Sequence, residues 1–243
     1  MIPENKPAKI PAHVAFIMDG NGRWAAAKNL PRAAGHKEGA ASVEAITNAA
    51  KKLGIKYITL YAFSSENWQR SPAEISSLMN LLEETLDKYE QQKDSGVRLI
   101  FSGRRDRLAP KILQKLDKAT AATAANKILT VNLALNYGGR QEIADAFNKL
   151  SAAGKKKISE ADISANLYQN IPDPDLIIRT AGEYRTSNFL LWESAYSELY
   201  ISKKFWPDWE KEDLETAIAD FSGRSRRFGG VATNNIAAGG CGE

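Results

Sequence analysis

Carboxylate, amide and guanidinium groups recur along this chain wherever an apolar run ends. In the first case His13-Val-Ala-Phe-Ile-Met runs into Asp19-Gly20-Asn21-Gly22-Arg23-Trp24. A carboxylate there can hold a divalent cation, glycines let backbone N–H groups approach an anion, and arginine pairs with phosphate oxygens. A strand closed by an Asx/Gly turn would use the same residues. Four further segments repeat the chemistry. Arg32 and His36 stand in Pro31-Arg32-Ala-Ala-Gly35-His36-Lys37, just before a helix expected from Lys37, where donors suit an anion. His36 is one of only two histidines, although a loop histidine also serves as an ordinary surface residue. Tyr61-Ala-Phe63 ends in Ser64, Ser65, Glu66, Asn67, Trp68 and Arg70. A serine N-cap accounts for Ser64 or Ser65, but not for Asn67, Trp68 and Arg70 crowding the same loop. Asp175-Leu-Ile-Ile-Arg179 leads through a turn at Gly182 to Arg185, Thr186 and Ser187. Two guanidiniums and a hydroxyl at a strand end make a diphosphate cradle, and a charge directly after Leu-Ile-Ile needs a partner. Glu198 opens another apolar strand and is a candidate second metal carboxylate. Arg224, Arg226 and Arg227 either contact phosphate or stay solvated.

Strands are expected at Val14–Met18, Tyr57–Phe63, Val97–Ser102, Leu129–Leu135, Leu176–Arg179 and Glu198–Ile201. Several are nearly continuous in apolar residues, as in strands covered on both faces. Helical patterns lie near 37–53, 72–94, 106–124, 140–152, 159–168 and 209–222. This alternation predicts an α/β fold: one domain, a mostly parallel sheet and surrounding helices. In helix 72–94 the stripe Ile75, Leu78, Met79, Leu82, Leu86, Tyr89 either packs on the sheet or lines an apolar cavity. The expected organisation is an N-terminal extension over 1–12, a catalytic domain over 13–230 and a disordered tail over 231–243, rich in Ala, Gly and Asn.

Net charge is +4 on 243 residues, a balance that suits an anionic small substrate and makes no demand for nucleic acid. The single cysteine, Cys241, allows neither an internal disulfide nor a zinc cluster. Neither a signal-peptide core nor a membrane-span length of apolar residues is seen, so the expected location is the cytoplasm. A nucleotide-binding module would need a phosphate-loop or dinucleotide glycine motif, and neither occurs.

Together, His-Val-Ala-Phe-Ile-Met-Asp-Gly-Asn-Gly-Arg-Trp, Gly-His-Lys, Leu-Tyr-Ala-Phe-Ser-Ser-Glu-Asn-Trp, Leu-Asn-Tyr-Gly-Gly-Arg, Ile-Arg-Thr-Ala-Gly-Glu and Ser-Asn-Phe-Leu-Leu-Trp resemble the cis-prenyltransferases. The likeness is strongest to the bacterial undecaprenyl diphosphate synthases and runs from His13 to Gly230. It implies a homodimer, a six-stranded parallel sheet, and an apolar tunnel between the sheet and two helices. Helix 72–94 would supply tunnel wall and Leu129 its closed end. The implied reaction adds isopentenyl diphosphate repeatedly to an allylic diphosphate such as farnesyl diphosphate, each addition leaving a cis double bond. The product would be undecaprenyl diphosphate or a similar carrier-lipid precursor.

By the same resemblance Asp19 and Asn67 are catalytic, and Mg2+ is the cofactor, held by Asp19 with Glu198 assisting. The allylic diphosphate would sit on Gly20, Asn21, Gly22 and Arg23, with Arg32 and His36. Isopentenyl diphosphate would sit on Arg179, Arg185, Thr186 and Ser187. Ser64, Ser65, Glu66 and Arg70 complete the substrate-binding set, and Trp24, Phe63 and Trp68 wall the reacting carbons from water. Because an amide is a poor base, Asn67 is expected to orient a group while released diphosphate takes the proton. Peripheral contact with the inner membrane face would serve product release. A short- or medium-chain synthase is the rival, as is a non-catalytic partner subunit, which would lack the Asp-Gly-Asn-Gly-Arg loop kept here. Two positions depart from the family pattern. Ala181 replaces a glycine, which asks for a local backbone within reach of a non-glycine residue, and Tyr184 replaces a histidine near the metal site.

Overall fold

The computed structural model describes residues 9–91 and 93–224. Arg226, Arg227, Cys241, the expected tail and most of the N-terminal extension lie outside the described residues. Six strands form one all-parallel sheet: β1 (His13–Ile17), β2 (Tyr57–Ser64), β3 (Val97–Ser102), β4 (Leu129–Tyr137), β5 (Leu176–Arg179) and β6 (Glu198–Ile201), in the order β3-β4-β2-β1-β5-β6. Every residue of β1 and β5 is buried, which is why their sequences are apolar on both faces. The helices are α1 (Asn21–Ala27), α2 (Arg32–Leu53), α3 (Pro72–Gln91), α4 (Pro110–Ala122), α5 (Gly139–Ala152), α6 (Glu160–Ser164) and α7 (Lys211–Gly223).

Alternate residues of each strand divide the core. Val14, Phe16, Ile58, Leu60 and Leu133 meet Ile46 of α2, Leu82 and Leu86 of α3, Leu116 of α4 and Leu214 of α7 on one face. Ala15, Ile17, Ala134, Tyr137 and Ile177 meet Phe189 and Leu190 on the other, where α5 and α6 also pack on each other. The chain leaves β1 for β2 on one side, while β5 flanks β1 on the other. The loops after β1, β2 and β5 therefore border one crevice at the carboxyl ends of the strands, where ligands collect in open α/β sheets.

Helix α4 begins at Pro110 rather than 106 and α6 ends at Ser164 rather than 168, and two further differences bear on the site. Helix α2 begins at Arg32 rather than Lys37, so Arg32 and His36 project from its first two turns instead of preceding it. Pro31 is extended, at φ −62° and ψ 146°, and delivers the chain directly into the helix. The segment after Gly20 is the short helix α1 rather than an irregular loop.

Candidate functional site

The site starts where β1 ends. Gly20 turns the chain at φ 104°, and a side chain there would also strike Phe205 Cδ1 at 2.7 Å. That turn starts α1, whose first backbone N–H groups have no carbonyl within the helix. They border a cavity of about 130 Å3 lined by Asp19, Gly20, Asn21, Gly22, Arg23, Arg32, His36 and Arg70. Helix α2 holds α1 in place at Gly35, where a Cβ would lie 2.0 Å from the Asn21 carbonyl oxygen. Only glycine permits that approach.

Asp19 and Arg179 form the centre. Arg179 Nη2 donates to Asp19 Oδ2 at 2.9 Å, and Gly20 N donates to Asp19 Oδ1 at 2.7 Å. Arg23 Nη2 lies 3.4 Å from Asp19 Oδ1. Burial pushes the Asp19 carboxyl up, but Arg179, the Gly20 N–H and Arg23 outweigh it and hold it below the usual carboxylate range. Arg179 is 5% exposed. Its Nη1 donates to Arg185 O at 2.5 Å and to Ser187 Oγ at 2.8 Å, so the charge following Leu-Ile-Ile is paired and hydrogen-bonded through both Nη atoms, while its buried Nε has no partner. Arg23 reaches the β5 loop through Glu183 at 3.0 Å, and the Arg185 guanidinium meets the same carboxylate at 2.5 Å. Ala181 sits in this loop at φ 71°, in the left-handed region. That region is within reach of a non-glycine residue but carries strain for one. Tyr184 is 80% exposed at the rim.

The β2 loop folds into a 3-10 turn over Ser65–Gln69. Ser64 N donates to Asn67 Oδ1 at 3.0 Å, which closes a capping box. With its oxygen occupied, the Asn67 amide contributes Nδ2 donors to the cavity it lines. Trp68 is clamped from three sides. Phe63 meets it edge-on with centroids 4.9 Å apart, Asn136 Oδ1 accepts from its Nε1 at 2.7 Å, and the Arg107 guanidinium lies 4.6 Å above its ring. Glu66 Oε1 accepts from Asn188 Nδ2 at 2.8 Å and Glu66 Oε2 from Ser65 at 3.2 Å, which ties the β2 loop to the β5 loop.

The sequence reading missed Glu74. An acidic residue in the first turn of a helix reads as a complement to the helix dipole. In the structure Glu74 Oε1 accepts from Arg32 Nε at 2.9 Å and Arg70 Nη1 at 2.8 Å, with His36 Nε2 at 3.6 Å. One carboxylate thus gathers two guanidiniums and an imidazole at the mouth. Burial and the charge of Arg70 lower the His36 pKa against the pull of Glu74, so the ring is neutral at pH 7. Met18, Asn21, His36 and Arg70 belong both to the mouth and to an inner cavity of about 190 Å3 behind it. That inner cavity lies between Leu60, Phe63, Leu133 and Leu135 of the sheet and Leu78, Met79, Leu82 and Tyr89 of α3, with Gly39, Ala40 and Val43 of α2 on its third side.

The structure thus brings together Asp19, Gly20–Arg23, Arg32, His36, Ser64, Asn67, Trp68, Arg70, Arg179, Arg185 and Ser187. Half-buried Thr186 lies in the adjoining rim. Three of the expected residues lie apart from this group. Glu198 stands at the amino end of β6, in register with Leu176, whereas Asp19 follows the carboxyl end of β1. Three residue steps, roughly 10 Å, separate Glu198 from Ile201, which is level with Arg179 at the site. Glu198 instead accepts from Arg224 at 2.9 Å. Trp24 is buried, donates to Asp208 at 2.6 Å and lies under Lys28 at 3.9 Å, away from the inner cavity. Leu129, implied as the closed end, is buried beside Val97 in the sheet and is in neither cavity wall.

The class defined by fold and site is an α/β protein with a charged mouth at the strand ends and an apolar cavity behind it. Residues 17–229 match the family model described as "Putative undecaprenyl diphosphate synthase", and the chain belongs to that prenyltransferase family. An isoprenyl transferase of Fusobacterium nucleatum is 46% identical over 223 residues, covering 91% of this chain and 97% of its own length. One from Rickettsia bellii is 49% identical, covering 89% and 97%. Among solved structures, lavandulyl diphosphate synthase from Lavandula x intermedia, in complex with dimethylallyl diphosphate, superposes with TM-score 0.87 at 35% identity, covering 91% of this chain and 99% of its own. A probable undecaprenyl diphosphate synthase from Campylobacter jejuni gives TM-score 0.79 at 31% identity, covering 90% and 99%.

Proposed function

We propose that this protein elongates an allylic diphosphate by adding isopentenyl diphosphate units with cis geometry. The observation that carries the reading is the continuity of the charged mouth with the apolar cavity, through Met18, Asn21, His36 and Arg70. The allylic diphosphate takes the mouth, where the first N–H groups of α1, Arg32 and Arg70 bind it, and its hydrocarbon enters the inner cavity. Isopentenyl diphosphate takes the β5 loop, with Arg185 and Ser187 as donors. Arg179 is already engaged by Asp19, Ser187 and a carbonyl, so its part is to fix those groups.

The allylic C–O bond breaks and its electron pair leaves with diphosphate. The alkene of isopentenyl diphosphate attacks the electron-poor carbon, forming the new C–C bond, and a proton is lost. Asn67 holds a reacting group through its Nδ2 donors, and the proton passes to released diphosphate. Phe63 and Trp68 keep water from the cation. The donor set fits magnesium. Asp19 offers an ionised oxygen ligand at the mouth, and magnesium is commonly held by one or two carboxylates together with substrate phosphates. No cluster of three metal-ligating side chains occurs among the described residues, in keeping with that mode. Asp19 would hold the magnesium, which would supply positive charge to offset diphosphate repulsion.

We extend the reading to a long-chain carrier-lipid precursor as product and to a homodimer, supported by Tyr196 and Leu199, which are large apolar residues exposed at and beside edge strand β6. Among the described residues no helix is long and apolar enough to cross a membrane, so contact with a bilayer during product release would be peripheral. The test is incubation with farnesyl diphosphate, isopentenyl diphosphate and magnesium, followed by mass analysis of the lipids. A ladder of five-carbon additions supports the reading. Absence of any addition, with the protein folded, overturns it, and a single addition points to a short-chain synthase.

A further inference from the structure

We propose that the amino-end face of the sheet, opposite the charged mouth, docks on an anionic lipid bilayer. The inference rests on the chain-elongation reading for its purpose and names the surface through which an apolar product would meet lipid. In this all-parallel sheet every strand starts at the same end. The neighbours β3, β4, β2 and β1 span roughly 14 Å there. Hydrogen bonds join the segments that feed them into one surface. Lys56 N donates to Ala12 O at 3.0 Å, Thr130 N to Lys56 O at 2.8 Å and Ile128 N to Gly96 O at 3.0 Å. Asn126 Nδ2 donates to Lys93 O at 2.7 Å.

This surface is basic. Segments 51–57, 90–98 and 123–130 carry Lys51, Lys52, Lys56, Lys93, Arg98 and Lys127 against Glu90 and Asp94. Lysines of other surfaces meet carboxylates, Lys111 with Glu83, Lys115 with Asp87 and Lys204 with Asp213. Acidic Asp173, Asp175 and Glu198 stand at the starts of β5 and β6, which leaves the half under β3, β4, β2 and β1 as the docking area. Two large apolar side chains project among the lysines: Ile10 is 40% exposed and Ile128 is 51% exposed. Cations flanking exposed apolar groups match a layer of anionic headgroups over hydrocarbon. A soluble polyanion would use the cations and leave the isoleucines in water. A cavity of about 420 Å3 between α2 and α3, lined in part by Val43, Leu81 and Tyr89, reaches Ser95 and Val97 at this same face. There Lys51 Nζ donates to Ser95 O at 3.0 Å and ties the end of α2 to the segment before β3.

The experiment is co-sedimentation of the full chain, without substrate, with phosphatidylcholine vesicles that contain or lack phosphatidylglycerol. Wild type should bind the anionic vesicles alone, and less as salt rises. The triple variant Lys52→Gln/Lys56→Gln/Lys127→Gln should lower partitioning on the order of a hundredfold. Ile128→Ser should lower it about fivefold. Lys28→Gln/Lys111→Gln/Lys211→Gln makes the same change in net charge, at the end of α1 and the starts of α4 and α7, and should bind within about twofold of wild type. Circular dichroism confirms that each variant is folded. Equal loss in both triples, equal binding to uncharged vesicles, or no binding by wild type would overturn the proposal. An Ile128→Ser variant that binds as wild type would mark a surface for soluble polyanions and overturn the bilayer assignment. Elongation in detergent without vesicle binding refutes docking alone, and vesicle binding without isopentenyl addition refutes elongation alone.

Discussion

Asn67 separates two roles that a single substitution can pull apart. Its Oδ1 closes the capping box with Ser64 N at 3.0 Å, and its Nδ2 donors serve the cavity. Aspartate keeps an acceptor at the capping position and removes the donors. Asn67→Asp should therefore hold stability within about 0.5 kcal/mol of wild type, since either side chain can accept from the Ser64 N–H at the third position of the capping box. Asn67→Ala loses the reciprocal bond to the Ser64 N–H, at a cost of about 1 kcal/mol. Turnover divides differently. Removing one donor aimed at developing charge lowers kcat by roughly 10²–10³-fold, and a carboxylate beside diphosphate adds repulsion. Both variants should therefore fall at least that far in single-turnover assays with labelled isopentenyl diphosphate, while urea unfolding separates them. An Asn67→Asp variant with undiminished kcat, or with a rate that rises as its new carboxyl ionises, would refute the donor role and recast residue 67 as a base.

Other perturbations follow from the same geometry. His13 is 2% exposed and burial lowers its pKa from 6.5 to about 4, against the pull of the Pro172 carbonyl and Asp175. A depressed histidine gives stability that is complete above 6.5 and lost as pH falls toward 4; the difference amounts to about 3 kcal/mol. His13→Gln should flatten urea stability between pH 6.5 and 4, and an unchanged slope would contradict the neutral buried ring. Ala181→Gly should raise stability by about 0.5–1 kcal/mol in urea unfolding, by relieving φ 71°, and a loss would show that the loop tolerates alanine without strain. Gly35→Ala should cost about 1–3 kcal/mol and most of the activity, because its Cβ would overlap the Asn21 carbonyl; a fully active, equally stable variant would show that α1 can shift freely.

All six strands were legible to within two residues, because strands buried on both faces must be written in nearly unbroken apolar residues. The residues that gather at the mouth were legible too, since charge and amide groups at strand ends have few other uses. What the sequence hid was tertiary. Gly35 looks like a loop residue until the Asn21 carbonyl is seen against it, and this displaced the expected start of α2 by five residues. Glu74 looked like a helix-dipole partner until α3 folded back over Arg32 and His36. Glu198 was grouped with Asp19 on chemistry alone, but parallel register places them at opposite ends of their strands. Leu129 followed the family resemblance, whereas the cavities run along α2 and α3 instead.

The most direct measurement is a structure of this protein with a non-reactive farnesyl thiodiphosphate. The account predicts phosphate oxygens within hydrogen-bond distance of the first N–H groups of α1, Arg32 and Arg70, and a tail between β2, β4 and α3 toward Tyr89. A diphosphate bound away from Asp19, or a tail lying on the outer surface, would contradict it.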